Sequence, residues 1–269
     1  MRDVRLEHLR PAEILAERKR LPLVYLPTGS IEWHGPHLPL GVDMLLAYEV
    51  AQRLARELGG VVHPPIYCGT ERERSPQMLR NIGFPADAWV VGMDFPKNSM
   101  RSLYYPEEIF ALMLRQALER LVEAGYKLIV IVNGHGAENQ LNTLQRQAAA
   151  ITAQGRARVL VGFPNLNADE EAEQAIAGHA DIIETAMMLA LMPESVDLSA
   201  LPPLDTPLHN LDFAVVDSPT FSGQPTADFT VRPQFDPRRA TAEMGQRYLQ
   251  NMVASLAAQV REALAGLKG

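Results

Sequence analysis

The chain has 269 residues, 47% apolar and 21% charged, enough to bury one large core or two small ones. A net charge of −7 argues against a general nucleic-acid surface, which needs a basic face, and suits a protein that handles small molecules. The single cysteine, Cys68, excludes an intrachain disulfide and reads as a small buried side chain.

In chain order, Leu21 to Leu26 is a short apolar run that predicts a buried strand despite Pro22. Leu45 to Leu58 carries apolar residues at helical spacing and stops at Gly59-Gly60. Val61 to Tyr67 predicts a second strand. Residues 71–105 form a long irregular excursion, a length that is usually functional or inserted. Glu107 to Ala124 predicts an amphipathic helix, opened after Pro106 and closed by Gly125. Lys127 to Val132 is apolar and rich in β-branched residues, as a strand covered on both faces requires. A helix over Gln140 to Thr152 and a strand over Arg158 to Phe163 follow, then a Pro-rich loop over Leu201 to Pro207. The last helix is expected to start at Asp236-Pro237 and run to about Leu264.

Strands alternating with helices predict one α/β domain over 1–269, a mostly parallel sheet flanked by helices on both faces. Such sheets place sites at the carboxyl ends of their strands. No apolar run approaches the ~20 residues needed to span a bilayer. The N-terminal residues are charged where a secretory signal needs an apolar stretch, so a cytoplasmic protein is expected.

Three polar loops stand out, and the first two directly follow predicted strands. Gly29 to Asp43 holds Glu32, His34, His37 and Asp43. Asn133-Gly134-His135-Gly136-Ala137-Glu138-Asn139 is the second, and Gly178-His179-Ala180-Asp181-Ile182-Ile183-Glu184 the third. In extended chain Glu32 and His34 point the same way. Asp43 falls where loop becomes helix, a position that favours a carboxylate and lets its two oxygens bridge two cations. The glycines around His135 let the backbone turn sharply. Mixed His, Asp and Glu donors suit zinc, manganese or iron better than calcium or magnesium. Two such metals ~3.5–4 Å apart hold water as hydroxide near neutral pH and polarise a carbonyl, which is equipment for hydrolysis.

Each residue taken singly has a structural alternative. Asp43 reads as a helix N-cap, His37 as a loop residue, His63 as structural, and His8 and His209 as surface residues. The combination of Glu32, His34, Asp43 and His135 on strand-end loops is what favours a metal site. His179 and Glu184 are five residues apart and do not share a helix face, which puts His179 before a helix and Glu184 in its first turns.

These motifs resemble the signatures of the creatininase (creatinine amidohydrolase) family. The likeness rests on Gly29-Ser30-Ile31-Glu32-Trp33-His34-Gly35-Pro36-His37-Leu38-Pro39 with Asp43, on Asn133-Gly134-His135-Gly136, on Gly178-His179-Ala180 with Ile183 to Leu191, and on Asp236 to Gly245. It spans Leu21 to Leu264. The resemblance implies a dinuclear site that hydrolyses a linear or cyclic amide C–N bond through a metal-bound hydroxide. By position, Glu32 and His135 would bind one metal, His34 the other, and Asp43 both. Two divalent ions are implied, zinc or manganese, with iron as a further option, and a homo-oligomer, often a hexamer. His179 matches a proton-transferring histidine and is taken with Glu184 as catalytic.

The departures bear on substrate. Creatininase has a metal-ligating Glu two residues after the motif histidine. Here Ala137 stands there and the acid comes one later, so Glu138 is expected as the remaining ligand, with Glu184 or water as the alternative. Gly136 replaces a substrate-contacting tyrosine. Ala175, Ile176, Ala177 and Gly178 replace aromatic and acidic residues, and the segment from Thr70 to Pro106 is longer. The expected substrate is therefore a small amide other than creatinine. A deformylase or a peptide-trimming enzyme of cofactor biosynthesis is the alternative, and a non-catalytic metal- or ligand-binding protein is the alternative from a different class. No GxGxxG follows a predicted strand, which argues against an oxidoreductase.

Overall fold

The computed structural model describes residues 3–98, 100–163, 178–211, 214–216 and 230–267. The centre is a parallel sheet in the order β2-β1-β4-β5, with β1 Leu23–Gly29, β2 Val61–Val62, β4 Leu128–Asn133 and β5 Arg158–Gly162. The short β3, Ile66–Tyr67, pairs with the far end of β1. The predicted strand from Val61 to Tyr67 is thus two pieces. Pro64 and Pro65 have no N–H to give the ladder, and the register on β1 shifts by one residue across them, from Val61 opposite Val24 to Ile66 opposite Thr28.

Period-two alternation feeds two cores. Leu23, Tyr25, Leu128, Val130 and Val132 face α2 (Val42–Leu58), α6 (Ile182–Leu191) and α7 (Ala242–Ala265). Val24, Leu26, Ile129 and Ile131 face α4 (Glu107–Glu123) and α5 (Glu138–Ala153). This is why the strands read as unbroken apolar runs. Each fully buried side chain of this kind stabilises the fold by roughly 1.5–3 kcal/mol. The strand ends are therefore fixed by the core, independently of any ligand at the rim. Among the described residues, no helix is long and apolar enough to cross a membrane.

Two local expectations are corrected. Asp236-Pro237 opens only a one-turn 3-10 segment, Pro237–Arg239, because Ala240 and Thr241 are extended. Thr241 then caps α7 through its hydroxyl, which accepts from the Met244 N–H at 3.2 Å. The N-terminal segment adds α1, Pro11–Arg20, which the sequence reading omits. The excursion over 71–105 contains α3, Pro76–Asn81, and a small core of its own: Leu79, Ile82, Phe84, Val90 and Phe95. β6 (His209–Leu211) and β7 (Ala214–Val216) form a separate antiparallel hairpin. The substitutions at Ala175, Ile176 and Ala177 lie outside the described residues.

Candidate metal centre

The carboxyl ends of β1 and β4 are adjacent, Thr28 beside Asn133, so their loops leave the sheet together. The first loop is closed by the Glu32 N–H donating to Leu40 O at 2.8 Å. The N-cap of α2 is Gly41, which offers no side-chain cap, so Asp43 in the first turn points elsewhere. A Cβ at Gly134 would lie 2.0 Å from Asp43 O, so only glycine lets the second loop rest on α2. The third loop is set by Asp181, which caps α6 by accepting from the Ile183 and Glu184 amides at 2.9 and 3.2 Å. Before it, Ala180 holds φ 55, a costly conformation for a residue with a side chain. It directs the Ala180 N–H onto Glu184 Oε2 at 2.6 Å. The hairpin supports this loop through Val215 N–H on His179 O at 3.1 Å.

Three donor triads result, Glu32–Asp43–His135, His34–Asp43–Glu184 and Glu32–His34–His179, and the first two share Asp43. His135 Nδ1 lies 3.2 Å from Glu32 Oε2 and 3.0 Å from Asp43 Oδ2. On the other side, His34 Nε2 lies 3.1 Å from Asp43 Oδ1 and 3.8 Å from Glu184 Oε1. Within each triad the ligand atoms lie within 4.8 Å of one another. Asp43 thus offers one oxygen to each of the first two. Ser30 donates to Asp43 Oδ2 at 2.5 Å. His179 lies against His34 with ring centroids 4.1 Å apart and planes tilted by 32°, and its Nδ1 lies 3.9 Å from Glu32 Oε2.

All three imidazoles are oriented the same way. His34 Nδ1 meets the Glu32 carbonyl at 3.0 Å, His135 Nε2 the Thr70 carbonyl at 3.2 Å, and His179 Nε2 the Trp33 carbonyl. A carbonyl only accepts, so each of these nitrogens carries hydrogen. The other nitrogen then turns a lone pair towards the carboxylates. A histidine whose outer nitrogen is tied down in this way is oriented for a metal. Lone pairs facing carboxylate oxygens repel unless a cation or a proton lies between them, so the donor set fits divalent ions.

The titration behaviour follows. Burial alone would push His135 down, but Glu32 and Asp43 outweigh it and hold it well above the usual imidazole range. His34 is raised against its burial by Asp43. Glu32 and Asp43 are lowered despite burial, by His135 and His34 respectively. Glu184 goes the other way: burial, reinforced by Asp181 and Asp43, pushes it up to about 8. In the metal-free chain, His135 adds stability that is complete below its ordinary 6.5 and is lost as pH rises through its raised folded value. Asp43 adds stability that is present above 3.8 and is lost as pH falls through its lowered folded value. A cation held by this set would have to displace protons from His135 and Glu184, so its affinity would increase with pH across neutrality. Calorimetric zinc titrations at pH 7, in two buffers of different ionisation enthalpy, are expected to show net proton release. Zero release would contradict the ligand assignment.

The structure brings together Glu32, His34, Asp43, His135, His179 and Glu184. It does not bring Glu138. That residue opens α5 with its side chain 79% exposed, 3.6 Å from Arg72. Glu184, the alternative carboxylate, is the one that faces the centre, from α6, with Oε1 3.8 Å from His34 Nε2. His37 lies behind the site with Nε2 2.9 Å from Thr185 Oγ1, and burial with the nearby His34 pushes it down to about 3. His63 bonds its neighbour's carbonyl, Pro64 O, and His8 and His209 are exposed. Tyr104, which donates to Glu32 Oε1, and the Thr70 carbonyl escaped the sequence reading. Nothing local marks either of them.

The sequence profile of creatininase, described as creatinine amidohydrolase, matches residues 7–260. The chain belongs to this family. It is 24% identical over 263 residues to the creatinine amidohydrolase of Pseudomonas putida, covering 89% of each chain. It is 29% identical over 249 residues to a mycofactocin precursor peptide peptidase of Mycolicibacterium smegmatis, covering 90% of this chain and 85% of that one. A 3-dehydro-scyllo-inosose hydrolase of Thermotoga maritima is 25% identical over 189 residues, 68% of this chain and 54% of the relative. A crystal structure of creatinine amidohydrolase shares the fold with TM-score 0.70 at 20% identity, over 98% of this chain and 99% of that one. Solved creatininases include a manganese form and a Zn-Zn form.

Proposed function

We propose that this chain is a metal-dependent hydrolase that cleaves the C–N bond of a small linear or cyclic amide other than creatinine, using two divalent cations, zinc or manganese. The observation that carries this reading is the pair of triads joined at Asp43, with every imidazole lone pair turned inward. Glu32, Asp43 and His135 hold one cation. His34, Asp43 and Glu184 hold the other. When bound, the cations supply Lewis acidity and a nucleophilic water at neutral pH. His179 is anchored through Nε2 and presents Nδ1 to the centre, so it accepts a proton there and returns it to the leaving nitrogen.

His179→Asn is expected to lower kcat by about 10²–10⁴-fold while both metals remain, by elemental analysis. Loss of a metal would instead make His179 a ligand, as its proximity to Glu32 and His34 allows.

The exclusion of creatinine is supported by Gly136, which lacks the side chain of a substrate-contacting tyrosine and where, among the described residues, a Cβ would touch only Phe163 at 3.8 Å. The 29% identity to a peptide peptidase favours a second reading, trimming of a short peptide. Metal-loaded protein assayed on cyclic amides, formylated amines and short peptides separates the two. Full metal loading with no turnover on any of them would leave a non-catalytic binding protein.

We also propose a homo-oligomer. α4 buries Phe110, Leu114 and Leu118 yet leaves Ile109, Leu112 and Met113 exposed as a second apolar stripe. Light scattering that gives a monomer mass would end that proposal. A cytoplasmic location is proposed from the lone buried Cys68.

A further inference from the structure

Glu32 and Glu184 face the centre in the same manner. Each gives one oxygen to a triad and has the other held by a donor outside it. For Glu184 the holder is a backbone amide, Ala180 N–H. For Glu32 it is a side chain, the Tyr104 hydroxyl, which comes from the 71–105 excursion.

The direction of that bond is determined. The Met93 N–H donates to the Tyr104 oxygen at 3.1 Å, which occupies a lone pair and leaves the phenolic proton for the carboxylate. The phenol is placed by backbone on both sides. Leu103 N–H donates to Ile31 O at 2.7 Å, Tyr105 N–H to Gly69 O at 2.9 Å, and Trp33 N–H to Ser102 Oγ at 3.0 Å. The turn that carries Met93 lies against the phenol: Gly92 holds φ +51, and a Cβ there would lie 2.4 Å from Glu71 Cγ and 2.6 Å from the Tyr104 oxygen. The small core of Leu79, Ile82, Phe84, Val90 and Phe95 lies in the same excursion.

We infer that Tyr104 is a positioning residue that restricts Glu32 to one-oxygen ligation at the Glu32–Asp43–His135 position, so that the excursion over 71–105 sets the metal affinity of that position. The inference rests on the proposed metal centre. With the hydroxyl in place, Oε1 is occupied and Oε2 alone points at the triad. Without it, Oε1 is free to rotate in beside Oε2, and Glu32 loses the partner that fixes its geometry. Outer partners of metal ligands typically contribute 10–100-fold to affinity.

The test is metal competition against a chromophoric chelator, with protein as isolated and after stripping and reloading. Wild type is expected to show two bound zinc ions. Tyr104→Phe, which preserves the ring, is expected to weaken one of them about 10–100-fold and leave the other unchanged. The cobalt-substituted variant is expected to show weaker visible absorption per ion at one position, as a second carboxylate oxygen raises its coordination number. Gly92→Ala is expected to reproduce both effects by displacing the phenol, with Tyr104 still present. Wild type that binds no metal would overturn the metal centre itself. Wild type with two zinc ions, together with a Tyr104→Phe protein whose two affinities and cobalt spectrum are unchanged, would overturn the role of Tyr104 alone.

Discussion

Asp43→Ala is expected to lose both cations and all measurable turnover. The two triads that hold the cations are disjoint except at Asp43, whose Oδ2 lies 3.0 Å from His135 Nδ1 and whose Oδ1 lies 3.1 Å from His34 Nε2. No other carboxylate is shared between the two. Changing a mere outer partner costs about 10–100-fold in affinity, and this substitution removes an inner ligand from both positions at once. The fold is expected to survive, because α2 is anchored by Val42, Leu46, Val50 and Leu54 in the core and not by the site. The variant does leave Ser30 Oγ and the His34 imidazole without their Asp43 partner, while His135 keeps Glu32 Oε2 at 3.2 Å. His34 then falls back from its raised value, because Asp43 is its main upward influence against burial, whereas His135 loses only part of its upward shift because Glu32 remains beside it. Elemental analysis and a melting curve check the two halves of the prediction. A folded Asp43→Ala protein with two metals would falsify the bridging role.

The parts legible in the sequence are those whose cause is local. Leu128 to Val132 reads as a strand because burial on both faces leaves no polar position. α2 and α4 read as helices because each has one face against the sheet. Glu32, His34, Asp43 and His135 draw attention because turns and glycines bring several donors into short loops beside those strands. What the sequence concealed depends on distant contacts. Tyr104 meets Glu32 only because its bridge to Gly69 and the Leu103 N–H bond to Ile31 O fold the excursion back. The three carbonyls that orient the histidines belong to Glu32, Thr70 and Trp33, and a carbonyl leaves no mark on residue type. The start of α7 was misplaced because Asp236-Pro237 is a genuine cap, but of a single 3-10 turn.

Glu184→Gln is expected to remove one cation of the two, whereas Glu138→Gln removes neither. Nearness in sequence to His135 makes Glu138 the natural candidate. Helix geometry decides otherwise. Glu138 begins α5, where a carboxylate is favoured by the helix N-terminus in open solvent, and it pairs with Arg72. Glu184 sits at the third position of α6 behind the Asp181 cap, a place where a glutamate ordinarily bonds back to the cap's own N–H. Here it reaches the Ala180 N–H instead, with Oε2, and so frees Oε1 to face His34. Its carboxyl is pushed up to about 8, so near neutral pH the metal-free chain holds it mostly protonated. Glutamine copies that neutral state in shape and keeps an acceptor for Ala180, so Glu184→Gln is expected to melt within a few degrees of wild type when metal-free. Its lost charge matters only when a cation must be held. Metal counts near one for Glu184→Gln and near two for Glu138→Gln, with turnover abolished only in the first, would establish the ligand on α6. The opposite pattern would return the role to Glu138 and require the loop after His135 to refold on metal binding.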